Sequence, residues 1–394
     1  MKVYMIGSAK PDFANGGVEG SIANISWFLM KSGHEVINFC YNYIPYTEEN
    51  EFGKVIALKK ILNPTINKFV YGFRVAKYLK GLLKRSEAAV VHGHADNCFG
   101  YALRKTKTPF VWTVQGTSFG SYFKSNYREL EKTYANKNVF VKALLYFTER
   151  YVRKPLLSVA RALPEYMTAR KADLIVTCSK SVKEELAGYY GINREKIKVI
   201  YNGVNLNIFK PVNKKEARKR LGLNENKTYG IFVGIQSIRK GLDIAVDAIR
   251  KVGNAELLLV GPMPAYMKSD NVRHIGGIHN QRILNDVYNA ADFMLFPSRY
   301  EPFGIVMLEA MATGTPVIMS DRCGAAEVVR DGKDAIIVKG FAPEAYAREA
   351  RRLMADRKLY EKIAKNGIKI ASQYSWEIQA GKYLSLYKML TNGG

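Results

Sequence analysis

Two glutamates, Glu301 and Glu309, stand eight positions apart in the otherwise apolar stretch 296–317, FPSRYEPFGIVMLEAMATGTPV. The run DFMLFPS reads as a buried strand, RYE as a loop, and Pro302 suits the first position of a helix that continues through GIVMLEAMATG. Glu301 then belongs to the loop end of the strand, and Glu309 lies two turns into the helix. At 1.5 Å per residue the two are up to about 12 Å apart along the axis. Carboxylates that act together on one glycosidic bond stand roughly 5 to 9.5 Å apart, so a paired acid and base is disfavoured. Between the glutamates fall the amides of Phe303, Gly304 and Ile305, which at a helix start favour an anion. Carboxylate, anion site, carboxylate is the order of sugar, diphosphate and ribose in a nucleotide sugar.

Other residues fit the same chemistry. In IRKGLD, Arg239 and Lys240 follow an expected strand and precede Gly241 and a helix, where a forked guanidinium and a compact ammonium suit a phosphate. The segment GGVEG offers Gly16 and Gly17 where a strand feeds a helix, letting a diphosphate come close to backbone. Glu19 in that segment is a further candidate for sugar or acceptor contact. His92 and His94 in VVHGHAD end another strand; they suit an acceptor or sugar contact, or a structural role, and without a third ligand they do not make a metal site. Cys40, Cys98, Cys178 and Cys323 are scattered, with no CxxC pair, which indicates neither a disulfide framework nor zinc. A GxxxxGK[ST] loop, HExxH and GxGxxG are all missing, which argues against several nucleotide-binding, metallohydrolase and dehydrogenase classes.

These residues need a scaffold. Short runs rich in β-branched residues (KVYMIGS, EVINFCYN, AAVVHGHA, PFVWTVQG, ADLIVTCS) alternate with helical patterns, which implies a mostly parallel, doubly wound α/β sheet. Between about 117 and 170 the alternation gives way to a basic, aromatic segment expected to form amphipathic helices. After a connector around YNGVNLNIFKPVNKK the pattern starts again with TYGIFVGI, AELLLVGP, NVRHIGG, DFMLFPS, PVIMSD and DAIIVKG. We therefore expect a Rossmann-like domain over 1–212, a second over 213–375, and a helix at 376–394 that returns to the first.

The chain has 394 residues, room for two domains. Its formal net charge of +25 lies mainly before residue 212 and draws polyanions: phosphorylated substrates, an anionic membrane face or nucleic acid. Abundant Lys and Tyr also suit a heat-adapted proteome. RNA-recognition, homeodomain and zinc-finger signatures are missing, so no nucleic-acid partner is expected. No apolar run reaches bilayer length and the start does not read as a signal peptide, so a cytoplasmic protein is expected, with the basic segment able to lie on a membrane.

With these motifs in order, the chain resembles the retaining family-4 glycosyltransferases of the GT-B fold. The carriers are GGVEG, VVHGH, ADLIVTCSKSV, VIYNGVNLNIFKP, RKGLD, LLLVG and, above all, PSRYEPFGIVMLEAMATGTPVIMSDRCGAAEVV. The resemblance implies two domains facing a cleft, with acceptor on the first and a UDP- or GDP-type sugar on the second, and no cofactor or metal. It implies that Glu301 holds donor-sugar hydroxyls and Glu309 the ribose. Lys240, Arg239 and the 303–305 amides would bind the diphosphate, approached by Gly16 and Gly17, with the base read by backbone around Gly276 and Ile278. The expected acceptor is a glycan, a lipid-linked group or a cell-envelope component. Glycogen or starch synthases, which usually carry KTGGL near the N-terminus, and sucrose- or trehalose-type synthases are the alternatives. Three positions depart from the pattern: Gln115 in TVQG replaces the usual His that contacts donor sugar, Ile235 replaces a common Arg, and Asn205 replaces a frequent Asp.

Overall fold

In a computed structural model of the chain, residues 1–12, 17–60, 64–83, 88–124, 154–235, 238–263 and 269–392 are described. They form two compact units. One comprises Met1–Tyr122, Lys154–Asn202 and Trp376–Gly394, and the other contains Gly203–Ser375. The division between the units falls after Asn202, near the start of the expected connector. The charged run that reads as a linker is instead the helix Lys214–Arg220, capped by the Asn213 side chain, which accepts from the amides of Lys215 and Glu216.

The first unit is built on an eight-stranded sheet in the order β3-β4-β2-β1-β5-β6-β7-β8. Its strands are β1 (Lys2–Ile6), β2 (Glu35–Asn42), β3 (Tyr46–Asn50), β4 (Gly53–Lys59), β5 (Ala89–His94), β6 (Phe110–Val114), β7 (Leu174–Thr177) and β8 (Ile197–Val199). All pairs are parallel except β3 with β4. Strands β5, β6 and β7 are buried along their whole length, as central parallel strands covered on both faces must be. Helix α1 (Gly17–Lys31) connects β1 to β2, whereas β5 leads to the other side of the sheet, so the winding direction changes between β1 and β5.

The second unit holds a six-stranded parallel sheet, β11-β10-β9-β12-β13-β14. Its strands are β9 (Thr228–Val233), β10 (Ala255–Val260), β11 (Val272–Gly276), β12 (Phe293–Phe296), β13 (Val317–Ser320) and β14 (Ile336–Val338). Phe232, Leu257, Leu259, Phe293, Leu295 and Ile318 point into one core against apolar residues of the helices Leu242–Val252 and Pro343–Ala355. Here the winding reverses between β9 and β12. Open sheets leave a crevice for ligands beyond the carboxyl ends of such strands.

The expected helix at the C-terminus is Trp376–Asn392, and it belongs to the first unit, where it packs on α1. Of the basic segment expected at 117–170, the described parts are the helices Ser118–Lys124 and Lys154–Lys171; the remainder lies outside the described residues. No helix among the described residues is long and apolar enough to cross a membrane.

Candidate active site

In the second unit the loops after β9 and β12 bring the expected residues together. The Lys240 ammonium donates to Glu301 Oε2, and Arg239 Nη1 lies 3.9 Å from the same oxygen. Arg239 Nη1 also donates to the Tyr300 carbonyl at 2.9 Å, and the Arg299 amide donates to the Arg239 carbonyl at 2.8 Å. The two loops are thus stitched to each other through backbone as well as charge.

Sequence reasoning missed two residues that hold this arrangement. Arg299 and Asp243 form a buried two-bond ion pair, both contacts at 2.8 Å, that ties the helix after Lys240 to the end of β12. Both residues lie inside the motifs already singled out, RKGLD and PSRYE, so a search for opposite charges within them would have found the pair. Gly241, two positions before Asp243, has φ +73°, and a Cβ there would lie 2.1 Å from the Pro297 carbonyl oxygen, so only glycine lets the loop close on β12.

The helix after Glu301 starts later than expected. It spans Ile305–Ala312, with Gly304 as its N-cap at φ +102°, and Pro302 is not its first residue. Gly304 sits against the Phe296 ring, with the Cβ position 2.6 Å from it, and this left-handed turn fixes where the helix can begin. The amides at its start are therefore Ile305 and Val306, because Met307 N–H already donates to the Gly304 carbonyl at 3.0 Å. Of the three amides expected there, those of Phe303 and Gly304 precede the helix. Phe303 is a buried anchor whose carbonyl accepts from the Ala325 amide at 3.1 Å.

Glu309 lies one turn into this helix rather than two. Tyr288 donates its hydroxyl to Glu309 Oε2 at 2.8 Å, a partner that no sequence signal indicates. The carboxyl is only partly accessible, and burial pushes it up to about 7 against the pull of the Tyr288 hydrogen bond. The two glutamates thus keep separate partners. Gly276 and Ile278 lie at the end of β11, on the same carboxyl edge of the sheet, where the Gly276 carbonyl accepts from the Gly261 amide at 2.9 Å. Ile235 is 75% exposed just beyond β9 and supplies no charge, leaving Arg239 and Lys240 as the cations beside Glu301.

The remaining candidates lie in the first unit. Gly16 falls outside the described residues, whereas Gly17 opens α1 and accepts from Ser21 Oγ at 2.8 Å. Glu19 accepts from the Ser8 hydroxyl. Gln115, at the end of β6, forms a reciprocal amide pair with Asn202, at 3.1 and 2.9 Å, and donates to Ser21 Oγ at 3.4 Å.

His92 and His94 separate clearly. The wholly buried His92 ring meets the Tyr387 hydroxyl at 2.6 Å through Nδ1 and Thr113 Oγ1 at 2.7 Å through Nε2. Thr113 donates onward to Tyr383, so its oxygen is free to accept from Nε2–H, and Tyr387 donates to Nδ1. Burial holds this neutral ring well below the usual histidine range. His92 therefore anchors the helix Trp376–Asn392 and is not available as an acceptor contact. His94, also buried, has no hydrogen-bond partner on either ring nitrogen among the described residues, and burial pushes it down to about 3. No group of three metal-ligating side chains occurs among the described residues.

Comparison with known proteins identifies the class. Residues 15–208 match the model of Glycosyltransferase Family 4, and residues 213–370 match that of Glycosyl transferases group 1. The chain belongs to this family of glycosyltransferases. An uncharacterized glycosyltransferase of Methanocaldococcus jannaschii is 27% identical, with 99% of this chain and 98% of that protein covered. A D-inositol 3-phosphate glycosyltransferase of Segniliparus rotundus is 31% identical over 59% of this chain and 56% of its own length. Among solved structures, the sucrose-phosphate synthase of Thermosynechococcus elongatus superposes with a TM-score of 0.81 at 22% identity, with both chains covered completely. The fold is that of the GT-B glycosyltransferases.

Proposed function

We propose that the protein transfers a sugar from a nucleotide diphosphate sugar to an acceptor hydroxyl, with retention at the anomeric carbon. The observation that carries this reading is the meeting of Glu301, Lys240 and Arg239 beyond β9 and β12, beside the start of the helix Ile305–Ala312. Two cations and a helix N-terminus suit the charge that develops on a departing nucleoside diphosphate. Glu301 is available to sugar hydroxyls, and Glu309 Oε1, the oxygen not taken by Tyr288, to those of the ribose. In this reading the leaving diphosphate is neutralised by the protein's own cations rather than by a metal ion. Retention rests on the family, through a front-face route in which the leaving phosphate assists deprotonation of the acceptor.

A thermal-shift screen of UDP-, GDP-, ADP- and CDP-sugars tests the donor site. At least one should raise Tm in the wild type, and Glu309→Ala should reduce that rise; no stabilisation by any donor would defeat the reading.

For the acceptor, the net charge of +25 supports an anionic partner, such as a lipid-linked or cell-envelope glycan at a membrane face. A second reading, a soluble phosphorylated acceptor, is favoured by the relatives named D-inositol 3-phosphate glycosyltransferase and sucrose-phosphate synthase. Sedimentation with anionic but not neutral vesicles would favour the first, and turnover with inositol 3-phosphate the second.

A further inference from the structure

The Lys240–Glu301 pair has a bearing on which ligands the donor site prefers. Glu301 is a poorly hydrated carboxylate, its side chain 10% exposed, and its charge is met by Lys240, 18% exposed, with Arg239 at 3.9 Å. The same two cations are the ones offered to a diphosphate. A diphosphate arriving there competes with Glu301 for them and also approaches a like charge, which disfavours both in a weakly hydrated setting.

The outcome differs between the two ligands the site must handle. In an intact nucleotide sugar the terminal phosphate is esterified and carries a single charge, and the sugar supplies hydroxyl donors to a carboxylate that has lost its cation. A bare nucleoside diphosphate ends in a free phosphate that carries roughly one more charge near neutral pH. It brings no hydroxyl to Glu301, so a buried carboxylate is left short of partners. We propose that Glu301 is the specificity-determining residue by which the donor site prefers the intact nucleotide sugar to the bare nucleoside diphosphate, and that it thereby favours release of that product. This rests on the donor-site reading above.

The test is calorimetric titration of UDP, GDP and ADP into the wild type, Glu301→Gln and Glu301→Ala, with Lys240→Met as the reporter of the cation. Removing the charge at position 301 should tighten binding of the preferred nucleotide by about fivefold or more, the range of a partly buried charge contact. Intact donor should bind no tighter, and turnover should fall. In Lys240→Met, the further change Glu301→Gln should bring a smaller gain, because the competition it relieves has gone. Equal or weaker nucleotide binding in both Glu301 variants overturns the inference while leaving the donor site standing. Absence of nucleotide binding in every protein overturns the donor-site reading itself.

Discussion

At the scale of single residues, the two glutamates that share a motif have different electrostatic surroundings. Glu301 faces cations, whereas Glu309 accepts from a phenol and is buried, and burial pushes its carboxyl from the ordinary 4.5 up to about 7 against that hydrogen bond. Between those pH values the folded chain keeps a proton that the unfolded chain has released. Its contribution to stability is therefore complete below about 4.5 and is lost as pH rises through about 7. Glu309→Gln keeps the acceptor for Tyr288 and removes the titration. Its Tm relative to the wild type should rise from pH 4.5 to pH 8, and a pH-independent difference would show that the carboxyl titrates normally. Residue types made this site legible in the sequence: carboxylates and cations in an apolar setting are few. Whether His92 or His94 was structural was not legible, because the phenol that occupies His92 comes from Tyr387, 295 positions away.

At the scale of elements, the site depends on where one short helix begins. Pro302 reads as a helix start, but Gly304 at φ +102° against Phe296 delays it to Ile305. Helix propensity indicates that a helix exists, while its first residue is set by a packing contact that a local reading does not contain. Gly304→Ala demands a left-handed backbone from a residue with a Cβ and pushes that Cβ into the ring, so it should destabilise by about 1–3 kcal/mol. It should also weaken nucleotide binding, as the amides of Ile305 and Val306 turn away; unchanged denaturation midpoint and affinity would contradict this account. The buried central strands were readable as apolar runs. The pair β3 and β4 was not, because β3, YTEEN, is polar and lies at the sheet edge, where composition resembles a loop.

At the scale of the whole molecule, two sheets of the same winding sense carry their candidate residues at carboxyl edges, and the sequence announced both through its strand and helix alternation. The chain leaves the first unit at Asn202, inside the connector expected from its Asn-Gly, Pro and charges, and the Asn202 side chain pairs with Gln115. The first unit is discontinuous: Tyr383 and Tyr387 of the helix Trp376–Asn392 complete the polar network around His92 and Thr113. On a ribosome those tyrosines emerge only after all of Gly203–Ser375 has been made, so the second unit can close first while the earlier sheet waits for its cover. A fragment spanning 203–375 should accordingly show a cooperative melt by itself. A fragment ending at 202 should bind a hydrophobic dye and gain a melt only when a 376–394 peptide is added, and cooperative melting without the peptide would contradict this order of events. Synthesis of this protein thus leaves its first half the longest exposed to chaperones and proteases, a vulnerability created by one returning helix.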